Sequence, residues 1–252
     1  LSLEQNPAVS SMHLQILALL MRTGLFQEHH CAELHAMAMK ATTADDVRRR
    51  TREDLRHEIV MLMLNADGYR KYGNRTYLFT MMSGIWAKPS EPGTLFSLGT
   101  LRALLPQELG LLEMRAALKD MAAYEQQLAS QTGQPGISQP RLINDAPREM
   151  SRSFSNGSQY AMTHNMRLAI LSFALWRARH PGRLPASLDD FLDEETRAAF
   201  IPVEGVKLEY HDEMSGTIYH RTCVRCVVDP AVAPLLDLGP FIVVCLGKDV
   251  QK

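Results

Sequence analysis

The chain is short of the features that most readily assign a function. It has no long hydrophobic run: the longest uncharged apolar stretch near its start, Met12 to Met21, is ten residues. A spanning helix takes about 20, so no transmembrane segment is expected in this chain. Charge of one sign is lacking too, with 27 Lys and Arg against 28 Asp and Glu for a formal net charge of −1. Such a chain has no overall field to draw in nucleic acid or an anionic membrane, and binding of that kind would need a local patch. Cysteine is scarce, four residues in 252, which is too few for a disulfide-built scaffold. What remains is ordinary globular usage, 46% hydrophobic and 22% charged, so neither a disordered nor a fibrous chain is indicated. The length allows one large domain or two small ones.

Helical spacing dominates the first half. Leu14, Leu17, Ala18 and Met21 fall at i, i+3, i+4 and i+7, predicting a short helix that ends near Gly24. A second helix is expected from about Phe26 to Lys40. Thr43 followed three residues later by Asp46 marks the capped start of a long third helix. It would turn Val47, Leu55, Ile59, Leu62 and Met63 inward and stop at the turn-forming Asn65-Ala-Asp-Gly68. Tyr69 to Trp86 reads as a further helix, Lys88 to Gly93 as a loop, and Leu101 to Gln131 as helix interrupted at Pro106. Residues 132–157, dense in Gly, Pro, Ser, Gln and Asn, read as a linker. The expected division is a helical subregion over residues 1–150, its end loop-like, and a second subregion over residues 151–252.

The second subregion opens with a helix from about Gln159 to Arg179, apolar at every position from Leu168 to Trp176 except Ser172, and therefore mostly buried. His180 to Pro185 is a turn, and Ser187 with Asp190 starts a short helix ending near Phe200. Val206 to Tyr210, Thr217 to His220, Cys223 to Val228 and Phe241 to Leu246 are β-branched or aromatic runs that predict three or four antiparallel strands. The fold class is α+β: a mostly helical N-terminal subregion, then a long buried helix, a short helix and a small antiparallel sheet.

Arg167 to Phe191, RLAILSFALWRARHPGRLPASLDDF, resembles the pattern R-L-A…A-L…Y-R…H-G-x-Y-P-x-S-L-x-x-L. That pattern occurs in pseudopilins and, more closely, in uncharacterised exported planctomycete and verrucomicrobial proteins with a pilin-like C-terminal segment. Val243 to Asp249 is similar to their closing V-Y-S-L-G-x-D-G strand, with Cys245 in place of Ser and Val250 in place of Gly. The likeness covers Met162 to Asp249. Their P-x-D-P-F-x-G segment is represented only by Ile201 to Gly205, without its Asp-Pro. The resemblance implies an exported protein, periplasmic or secreted, that has lost an N-terminal signal or anchor. Its residues also have a packing role: Pro181, Gly182 and Pro185 turn the chain, and Leu184, Leu188, Phe191 and Leu192 pack on the preceding helix.

Candidate chemistry is sparse. Cys31 and His35 share a helix face at i, i+4, as two zinc ligands would, within the polar cluster His29, His30, Cys31, Glu33 and His35; the plain alternative is a solvated polar face. Cys223-Val-Arg-Cys226 has the spacing of a redox pair or half a zinc site; otherwise its cysteines are small hydrophobes in strands, or one bridges to Cys245 in an exported protein. His57-Glu58 begins a zinc-peptidase motif, but Met61 stands where the second His is required. Ser153 to Gly157 lacks the first glycine of a nucleophile elbow. The basic run Arg48 to Arg52 has Asp46, Glu53 and Asp54 at i, i+4 spacing, so it reads as a self-paired exposed helix and not as a nucleic-acid site. No cofactor is called for. The leading expectation is an exported or envelope-associated binding and assembly protein with a protein or glycoprotein partner. The alternative is a secreted carboxylate-dependent hydrolase, of aspartic-peptidase type, acting on glycoproteins such as mucin; sequence does not choose its carboxylate pair.

Overall fold

The computed structural model describes residues 7–22, 26–72, 107–140, 148–211, 222–233, 236 and 241–245. Among these, six α-helices precede a small sheet: α1 (Pro7–Arg22), α2 (Glu28–Ala41), α3 (Ala44–Tyr72), α4 (Gln107–Ser130), α5 (Arg148–Arg179) and α6 (Glu194–Ala199). The strands β1 (Val206–His211), β2 (Cys223–Val228) and β3 (Phe241–Cys245) pair antiparallel in the order β1-β2-β3. The chain is thus α+β and mostly helical, as its patterning predicts. The expected strand Thr217 to His220 and the loop Lys88 to Gly93 lie outside the described residues.

Local chemistry accounts for several boundaries. At the head of α3 the Thr43 backbone N–H donates to Asp46 Oδ2 at 3.1 Å and the Asp46 N–H donates to Thr43 Oγ1 at 3.1 Å, a reciprocal cap. After α5, Gly182 takes φ 74°, the left-handed conformation that costs glycine nothing and lets the chain reverse. Asp190 then closes the short 3₁₀ turn Leu188–Asp190 by accepting from the Ser187 N–H at 3.1 Å. Asp193 caps α6 by accepting from the Thr196 N–H at 2.8 Å.

The core is organised around α5, against which α1, α2, α3 and β2 all pack. One buried cluster runs from Leu14 on α1 through Val47, Leu55 and Leu62 on α3 and Met121 and Leu128 on α4 to Val224 and Cys226 on β2. The sheet lays one face on α5. Leu208 and Tyr210 stand opposite Cys226 and Val224 in the register and share that buried face. Phe173, Phe191 and Tyr210 form an aromatic knot, with Phe173 and Phe191 edge to face at 5.6 Å. Tyr210 also donates its hydroxyl to Pro185 O at 3.0 Å, tying the turn to the sheet. Of the apolar residues expected to pack on α5 after the turn, Phe191 and Leu192 are buried and Leu188 is half-buried, but Leu184 is exposed.

Two sequence expectations need correction. Helix α3 does not stop at Asn65 to Gly68 but runs to Tyr72, and Met63 faces solvent. Helix α5 begins at Arg148 and not near Gln159, so the stretch read as linker supplies its first turns, and the expected division at residues 150 and 151 falls inside a continuous helix. The physical reason lies in the small residues themselves. Ser153, Phe154, Ser155 and Ser158 are buried, and a Cβ on Gly157 would come within 2.2 Å of Thr51 Oγ1 on α3. A composition that resembles linker here provides a close helix–helix contact.

That contact predicts a mutational sign. Gly157→Ala gains about 1 kcal/mol of helix propensity, yet overpacking a filled site costs about 1–3 kcal/mol. At this approach the overpacking wins, and urea unfolding is expected to show a loss of about 1–2 kcal/mol. Adding Thr51→Ala, which removes the obstructing hydroxyl, restores most of the loss.

Candidate functional site

Helix α2 turns Cys31, His35 and Ala38 inward, so the face that reads as solvated by sequence is in part a packing face against α5. His35 Nε2 lies 2.9 Å from Ser172 Oγ and 3.1 Å from Thr196 Oγ1. All three side chains are buried. Thr196 is in turn held by Asp193, its helix cap. The lone polar residue in the apolar run of α5, Ser172, thus meets the one histidine that α2 buries, as a hydroxyl shut away from water requires. That Ser172 would need a buried partner was readable in the sequence; which partner was not.

A serine oxygen at 2.9 Å from an imidazole nitrogen has the distance of a nucleophile and its base. Here the same nitrogen also serves Thr196, and neither Ser172 nor His35 lines the groove described below. The arrangement joins α2, α5 and α6. Burial lowers the His35 pKa, opposed by the charges of Asp193 and Glu195. Burial also lowers that of His164 on α5, whose Nε2 meets Ala199 O at 3.2 Å and whose buried Nδ1 has no partner among the described residues.

The cysteine candidates do not converge. Cys31 is a buried thiol with its pKa raised by desolvation. Cys223 and Cys226 are three residues apart on β2 and so project from opposite faces of the sheet, which excludes the C-x-x-C pair from ligating one metal together. Cys226 belongs to the core, where burial pushes its thiol up to about 12. In the register Cys223 stands directly opposite Cys245. Among the described residues no group of three His, Cys, Asp or Glu side chains is placed to hold a metal ion.

The basic run divides among different surroundings. Arg48 pairs with Asp45 Oδ1 on its own helix at 2.5 Å but is buried, not exposed, and donates to Gly136 O at 2.5 Å. Arg49 does pair along the helix, with Asp46 at 3.2 Å and Glu53 at 3.5 Å. Arg52 and Arg56 grip Glu125 of α4, each at 2.7 Å, and hold its carboxyl below its ordinary range against the opposing effect of burial. Arg50 lies over the Tyr160 ring at 5.3 Å. On the outer sheet face Arg225 reaches across to Glu209, donating from Nε at 3.0 Å and from Nη2 at 2.7 Å. Asp54 behaves differently: half-buried, it has its pKa raised by desolvation, and Asn156 Nδ2 donates to it at 3.5 Å.

The surface offers two apolar features. Met12, Ile16, Leu19 and Leu20 form an exposed stripe on α1, opposite the inward stripe that begins with Leu14. Between α1, α2 and α5 lies a groove of about 400 Å³ floored by Leu14, Ala38 and Leu171, with Arg167 and His13 in its walls. No helix among the described residues is long and apolar enough to cross a membrane. Compared with known proteins, the chain matches no family model, and no curated protein or solved structure is significantly similar to it.

The buried histidines predict the pH dependence of folding. Their folded pKa values lie below the unfolded imidazole value of about 6.5, so the unfolded chain binds more protons and stability falls as pH drops below that value toward the folded ones. Asp54, with its raised folded value, acts with the opposite sign. Urea unfolding from about pH 7.5 to about 5.5 is therefore expected to show falling stability, with the slope reduced in His35→Gln and in His164→Gln. An unchanged slope in both variants contradicts the assignment.

Proposed function

We propose that the protein is an exported or envelope-associated binding and assembly protein whose working surface is the outer face of α1, and that its partner is a protein or glycoprotein. The observation that carries this reading is that α1 is apolar on two opposite sides, only one of which is covered. Leu14 and Ala18 are buried, yet Leu19 is 55% and Met12 53% exposed. From Pro7 to Met21 the helix has no Asp, Glu, Lys or Arg. Single exposed apolar residues are commonplace, whereas an uncharged stripe from Met12 to Leu20 supports a surface that another protein covers. The spacing of Met12, Ile16, Leu19 and Leu20, at i, i+4, i+7 and i+8, is that of a helix laid into an apolar groove of a partner. The pilin-like pattern around α5 supports the exported setting. Photo-crosslinking from a reactive amino acid placed at Leu19 in the exporting cell is expected to yield one adduct of defined mass that disappears in Ile16→Glu. Absence of an adduct, or one that persists in that variant, contradicts the reading.

A second reading, a secreted carboxylate-dependent hydrolase of aspartic-peptidase type acting on glycoproteins such as mucin, draws on Asp54. Burial raises the pKa of its carboxyl, the direction a general acid needs. On this reading the protein cleaves a mucin glycopeptide at mildly acidic pH and Asp54→Asn does not, as followed by mass spectrometry of the products; an intact glycopeptide with the native protein dismisses it.

A further inference from the structure

We propose that the groove between α1, α2 and α5 binds an amphipathic monocarboxylate, an acyl chain ending in a single carboxylate. Its volume of about 400 Å³ falls among ligand clefts, which span about 300–1,000 Å³. The floor is aliphatic, made by Leu14, Ala38 and Leu171, all buried. Ligand clefts pair such a lining with a few polar groups that orient the occupant, and here those groups are Arg167 and His13.

Arg167 decides the ligand's chemistry. It is half-buried, and no described carboxylate pairs with it, although most described helix arginines pair with acids. Among the described residues that line the groove none is acidic. A guanidinium beside apolar surface and without a counter-ion is poorly solvated, and a carboxylate answers it with two parallel hydrogen bonds. A neutral hydrocarbon would leave that cation uncompensated, whereas an acyl carboxylate matches the apolar floor and the charged wall together. The site uses the inner side of α1, away from the outer stripe of Met12, Ile16 and Leu19, so it stands apart from the protein-binding reading.

Calorimetric titration of the full chain with dodecanoate, below its micellar concentration, tests the assignment. Dodecanoate is expected to bind the native protein; Arg167→Gln weakens it about tenfold. Dodecanol binds more weakly than dodecanoate to the native protein and equally to both forms. Ala41→Trp, at an exposed position on the groove wall, blocks binding without altering the thermal melt. Ile16→Glu, on the outer face, leaves binding intact. The proposal is overturned by a native protein that does not take up dodecanoate, by equal affinities in Arg167→Gln, by dodecanol binding as tightly as the acid, or by loss of binding in Ile16→Glu. None of these outcomes bears on whether the α1 stripe crosslinks to a protein.

Discussion

Burial of α5 is the constraint on which the other elements depend. From Leu168 to Phe173 every residue is buried, Ser172 included. A helix so enclosed cannot lie at a surface, because removing its apolar side chains from water is worth about 25 cal/mol per Å² only if something covers each side. Helices α1, α2 and α3 and strand β2 supply that cover, and their positions relative to one another follow from their shared neighbour. The aromatic knot of Phe173, Phe191 and Tyr210 extends the same logic to the sheet, and the turn at Gly182 returns the chain to the helix it has just left.

Enclosure on all sides has a consequence for polar groups. Ser172 and His164 are carried inside by the helix, and each must find its hydrogen bonds within the protein. Ser172 does so with His35, which also engages Thr196 and thereby orients α6; His164 meets Ala199 O through Nε2 alone, its Nδ1 having no partner among the described residues. Buried polar contacts of this kind contribute modestly to net stability but penalise any misaligned packing heavily, since a displaced helix would strand them unpaired. Their role here is to select one arrangement of α2, α5 and α6.

The covered and uncovered faces of α1 belong together. Its inner stripe joins the core while its outer stripe stays in solvent, and the groove lies where the inner side leaves α2 and α5 incompletely filled. A helix kept apolar on both sides only to fold would be wasteful, because an exposed apolar face adds nothing to stability and promotes association. The stripe and the groove thus lie on different sides of α1.

Much of the architecture was legible in the chain because it is written in local periodicity. The inward stripe of α1, the reciprocal Thr43 and Asp46 cap, the buried run of α5 and the β-branched strands each depend on residues a few positions apart. The errors arose where the deciding contact is distant in sequence. Ser153 to Gly157 reads as linker because small polar residues favour turns; only Thr51, about a hundred residues earlier, makes Gly157 a point of close helix packing. Arg48 reads as exposed until Gly136 O accepts from it, and Leu184 reads as packed until the turn leaves it outside. Even the separation of Cys223 from Cys226 follows from the strand assignment alone, since side chains alternate along a strand. What periodicity cannot encode is which faces meet. The pairing of His35 with Ser172, the isolation of Arg167 and the bareness of the outer face of α1 were decided by tertiary packing, because each depends on what a neighbouring element places against it.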